Sequence, residues 1–94
     1  MNTANLQLEG LIMAVAGLLK TLTAKGVLSH EELAALLAAA EGALYEEDNS
    51  RSLSDAHRAA TLFPIGVLSV ANELSKQGKA VTFSDCAERI GKGT

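Results

Sequence analysis

Only three of the 94 residues are aromatic, and none is tryptophan. The core must therefore be built from leucine, valine, isoleucine and alanine, which suits closely packed helices. A single cysteine, Cys86, excludes an internal disulfide and fits a reducing compartment. Proline occurs once, at position 64, and the eight glycines are scattered, so no flexible linker or low-complexity tract interrupts the chain. Lysine and arginine number eight and stand dispersed, leaving a net charge of −3 and an isoelectric point of about 5.2. A phosphate-gripping face is normally basic, so nucleic acid is not expected as a partner. The same dispersal excludes a polybasic membrane patch. The N-terminus has no positive segment or cleavage motif of a signal peptide. The apolar run from Gly10 to Leu19, flanked by Glu9 and Lys20, reads as too short to span a bilayer. The expected location is the cytoplasm.

What is present is helical periodicity. Apolar residues make up 48% of the chain and charged residues 20%, a globular balance. The first expected helix, from near Ala4 to Lys25, is apolar on two sides. Leu8, Leu11, Ile12, Val15, Leu18, Leu19 and Leu22 fall on one wide face. Gly10, Ala14, Gly17, Thr21 and Ala24 run along the other, at alternating steps of four and three. All five are small, and such a row lets a second helix backbone approach closely. An outward face would carry charges instead, so this helix is expected to be packed on both sides, with a second copy of the chain as one partner. Gly26 is its left-handed cap.

Ser29 and Glu32 form a capping box for a second helix, with Leu28 placed to staple onto Leu33. Its apolar face is Leu33, Leu36, Leu37, Ala40, Ala43 and Leu44. Ala35, Ala38, Ala39 and Gly42 lie opposite, where alanine is at home facing water. This helix is expected to end near Glu46, followed by a polar loop from Glu46 to Arg51. Ser52 is the expected cap of a third helix, with Asp55 at its third position. The stripe Ala56, Ala60, Phe63, Val67, Val70 and Leu74 passes Pro64 without losing phase, which predicts one helix kinked at Pro64 and running to about Gln77, with two helices split at Pro64 as the alternative, since proline is favoured in a first turn. Leu62, Ile65 and Leu68 lie off that stripe, so the region around the proline is expected to be covered on more than one side. Gly78 ends it. Thr82 then caps a short fourth helix with Phe83, Cys86, Ala87 and Ile90 on one face.

No constellation for chemistry emerges. His30 lacks a metal-ligand partner one turn on, because Ala34 stands there. The run Glu46, Glu47, Asp48 lacks the glycine and distal glutamate of a calcium loop. Cys86 sits on an apolar face and reads as a core thiol. Two histidines and one cysteine assemble no nucleophile with its base.

Two short resemblances exist. The segment Ala80-Val81-Thr82-Phe83-Ser84-Asp85-Cys86-Ala87-Glu88-Arg89-Ile90-Gly91 resembles the first half of a helix-turn-helix, a motif that implies DNA binding through a following recognition helix. The residues to Thr94 hold no such helix. Ser52-Leu53 after an acidic stretch is similar to the phosphopantetheine attachment site of acyl carrier proteins, although Arg51 stands where that motif has aspartate.

The sequence thus predicts a single all-α domain over residues 1–94: a small four-helix bundle of two αα-hairpins, with no catalytic, cofactor or metal site. The expected function is that of a homodimeric interaction or regulatory protein of bacterial type. Its interface is placed at Gly10, Ala14, Gly17, Thr21 and Ala24. A DNA-associated regulator, or a small-molecule or acyl-group carrier with a pocket beside Pro64, are the alternatives.

Overall fold

The computed structural model describes residues 3–50 and 54–79. Three helices fill them: α1 (Thr3–Ala24), α2 (His30–Ser50) and α3 (Asp55–Lys76). The all-α class is as expected, but the four-helix bundle is not: the described residues form three helices. The segment expected to supply the fourth, with Thr82 and Cys86, lies outside the described residues.

The expected pairing is corrected as well. The helix on which both others pack is α3. The antiparallel pair is α2 with α3, and three contacts show it. His30, at the start of α2, bonds Asn72 near the end of α3. Glu31 pairs with Lys76 at 3.3 Å at that same end. At the opposite end, the Arg58 guanidinium lies 5.0 Å over the Tyr45 ring, a cation–π contact. The physical reason for the central role of α3 is in its own sequence. Every residue from Thr61 to Gly66 is half-buried and Val67 is fully buried, so apolar side chains off the main stripe are met by a second helix. The core cluster joins Ile12 of α1 to Val67 and Leu74 of α3, with Phe63, Leu68, Val70 and Ala71 packed against it. Leu33 and Leu37 are the buried residues among the described side chains of α2.

Local signals position these elements. Ser29 Oγ accepts from the Glu32 amide, and the Ser29 amide donates to Glu32 Oε1, both at 2.9 Å. That is the reciprocal capping box, and Ser29→Ala is expected to lower stability by about 1 kcal/mol. A drop in the thermal midpoint, with helix content unchanged in the folded state, checks this. Both α1 and α3 end in the same way. Gly26 and Gly78 have φ of 74° and 75°. The Gly26 amide donates to Thr23 and the Val27 amide to Leu22, while Gly78 donates to Ser75 and Lys79 to Leu74. These are two Schellman motifs, which need a residue free to adopt positive φ.

Two boundaries differ from expectation. Helix α2 continues to Ser50, through the acidic stretch read as a loop. Glutamate is a good helix former, and the Tyr45–Arg58 contact holds this end of α2 on α3. Helix α3 is capped by Ser54, whose Oγ accepts from the His57 amide at 3.2 Å. Ser52 lies outside the described residues. Beyond Ser54, α3 runs as one helix past Pro64.

Candidate functional site

The first helix presents the least explained surface of the molecule. Among its described side chains the one that is fully buried is Ile12, 3% exposed. Val15, Ala16, Leu19, Leu22 and Thr23 are half-buried around it. Leu8, Leu11 and Leu18, expected on the core face, are exposed. The reason is geometric: the leucines span a wider arc than one neighbouring helix covers, so the outer members of the arc stay outside.

The small-residue row lies on the outward side. Gly10, Ala14, Gly17, Thr21 and Ala24 are all exposed. A Cβ built on Gly10 or Gly17 would meet no heavy atom within 4 Å, so no helix of the described chain occupies this groove. Thr21 Oγ1 donates to the Gly17 carbonyl at 3.0 Å, which commits its proton within the helix. By helical spacing, Leu11 and Leu18 border the row on one side and Leu6 and Met13 on the other. All four are exposed, Leu11 at 62%, Leu18 at 59%, Leu6 at 53% and Met13 at 38%. The only charged residues of α1 are Glu9 and Lys20, and neither falls between these borders. Asn5–Ala24 forms a 20-residue window with mean hydropathy of 1.3, long and apolar enough to cross a membrane by length and composition. The shorter run from Gly10 to Leu19 understated this.

The other residues weighed in the sequence go elsewhere. His30 is half-buried and is not merely a solvated first-turn residue. Asn72 Nδ2 donates to the His30 carbonyl at 3.0 Å. That fixes the amide so that Oδ1 faces the ring, and His30 Nδ1 donates to it at 2.8 Å. Asn72 is 9% exposed, so a single buried amide ties the start of α2 to α3. Sequence reading missed this pair, although an asparagine inside an otherwise apolar stretch of α3 was the available signal. Glu31, beside it, is held below the usual carboxylate range, first by its own backbone amide at the helix start and then by Lys76. Its favourable contribution is present above that range and fades as pH falls through its lowered value.

Ser54 Oγ and His57 Nδ1 are 3.1 Å apart. Both are exposed, and the hydroxyl serves as the cap of α3, so the pair is accounted for as a helix start. No group of three metal-ligating side chains occurs among the described residues. Glu46 and Glu47 are exposed on the last turns of α2. Cys86, the segment from Ala80 to Gly91 and Ser52-Leu53 lie outside the described residues. Comparison with protein families, curated proteins and solved structures finds no match to this chain.

Proposed function

We propose that this chain is a non-catalytic interaction or regulatory protein of the cytoplasm, of bacterial type, that acts as a homodimer joined through α1. One observation carries the reading. The outward face of α1 is an uncharged, largely apolar strip, bordered by exposed Leu6, Leu11, Met13 and Leu18 and floored by Gly10, Ala14, Gly17, Thr21 and Ala24. An exposed apolar patch of this kind marks an interaction surface. A small-residue floor with leucine borders is complementary to itself, because the leucines of one copy fit beside the glycines of the other across a two-fold axis. A second copy also covers the length of α1 without requiring charge on either side, and the strip has none.

Gly17→Leu tests this directly. The space around Gly17 is open within one chain, so the larger side chain is accommodated in a monomer and obstructs a helix approaching from outside. Light scattering is expected to show a shift from dimer to monomer, with the helical circular dichroism retained. A variant that unfolds would show that α1 packs against its own chain through this face. A wild type that is monomeric at high concentration, or that partitions wholly onto lipid vesicles, would contradict the dimer.

A further inference from the structure

Beside the Gly17 side of α1 the three helices leave a cavity of about 210 Å³. It goes beyond the dimer reading and does not rest on it. The walls are mainly apolar, from Met13, Gly17 and Leu19 of α1, Leu33 of α2, and Leu68 and Ala71 of α3, so Met13 and Gly17 edge both this cavity and the outward face of α1. It sits farther along α3 than the pocket expected beside Pro64, at the end where α1 finishes and α2 begins. The polar groups on its lining are mostly committed already. Both ends of the Asn72 amide are held by His30, and Thr23 Oγ1 donates to the Lys20 carbonyl. Lys20 itself is exposed and lines the cavity, and its ammonium has no ion-pair partner among the described residues. An apolar hollow with one uncompensated cation at its mouth has the chemistry of a site for an anionic amphiphile.

We propose that this cavity binds a medium-chain monocarboxylate, with the alkyl tail between α1 and α3 and the carboxylate on Lys20. The volume sets the length. An apolar cavity of about 150 Å³ takes benzene, with its six carbons, so this one holds roughly seven or eight carbons. That is the tail of octanoate. Each methylene removed from water strengthens binding about fourfold, up to the length at which the cavity is full.

The test is a titration of isotope-labelled protein, followed by NMR, with butanoate, hexanoate, octanoate and dodecanoate, and with octanol as a neutral control. Expected is saturable binding whose affinity rises about fourfold per methylene to octanoate and levels off beyond it, with shifts centred on Leu33, Leu68 and Ala71. Lys20→Glu is expected to weaken octanoate at least tenfold and leave octanol little changed. Ala71→Leu, which fills the cavity, is expected to abolish both while the fold is retained; Ala16→Leu serves the same purpose if that variant is unstable. Absence of saturable binding overturns the proposal, as does equal octanoate affinity in Lys20→Glu. Shifts confined to Leu11 and Leu18 would place the ligand on the open face of α1 and overturn it too. Because the readout is the cavity and not the oligomeric state, a monomeric wild type that binds octanoate would contradict the dimer and support this site.

Discussion

Ile12→Ala is expected to lower the stability of the folded chain by about 3 kcal/mol. Among the described side chains of α1, Ile12 is the one that is fully buried, at 3% exposed, and it joins α1 to Val67 and Leu74. The neighbours that share its face are only half-buried and fill the lost volume poorly. For a domain of this size that loss corresponds to roughly 15 °C in thermal midpoint. Limited proteolysis provides a second readout. The first cuts are expected within α1, because the α2–α3 pair keeps its own buried residues, Leu33 and Leu37, and its contacts at both ends. A midpoint that falls by only a degree or two would mean that α1 is not docked on α3 as described.

Asn72→Ala is expected to cost about 2 kcal/mol. Two hydrogen bonds disappear together, and the His30 carbonyl loses its donor in a part-buried setting. The adjacent Glu31–Lys76 pair gives the contrast. Both of its side chains are largely exposed, so Lys76→Ala is expected to leave the midpoint nearly unchanged. Asn72→Asp separates the two halves of the clamp. A carboxylate still accepts from His30 Nδ1 but gives nothing to the carbonyl, so this variant keeps one of the two hydrogen bonds that Asn72→Ala loses. Thermal melts of the three variants check the ranking. Equal effects of Lys76→Ala and Asn72→Ala would contradict the buried clamp.

Helix starts and stops were the part of this fold most legible in the residues. Ser29 with Glu32, and Gly26 and Gly78 with their positive φ, act through groups within a few positions of one another, so a local pattern contains the whole cause. The unbroken stripe through Pro64 was legible for the same reason. Partner choice was not. Nothing local states that α3 rather than α2 covers α1, because Leu8, Leu11 and Ile12 are equivalent in hydrophobicity and only the neighbour's position decides which one is buried. The acidic end of α2 stays helical to Ser50 for a tertiary reason that local polarity does not carry, the Tyr45 ring under Arg58. Asn72 and His30 lie 42 positions apart, and no periodicity joins a histidine in a first turn to an asparagine in another helix. The small-residue row was visible in the residues, but only the structure shows that the described chain leaves it open.

Self-association through α1 is tested most directly by sedimentation equilibrium of the wild-type protein over a hundredfold range of concentration, without detergent. The account predicts a limiting mass of twice the 9.8 kDa chain, with dissociation to the single chain on dilution and a much weaker dimer for Leu18→Glu. A mass that stays at 9.8 kDa across the whole range, or a dimer that Leu18→Glu and Gly17→Leu leave equally tight, would contradict it.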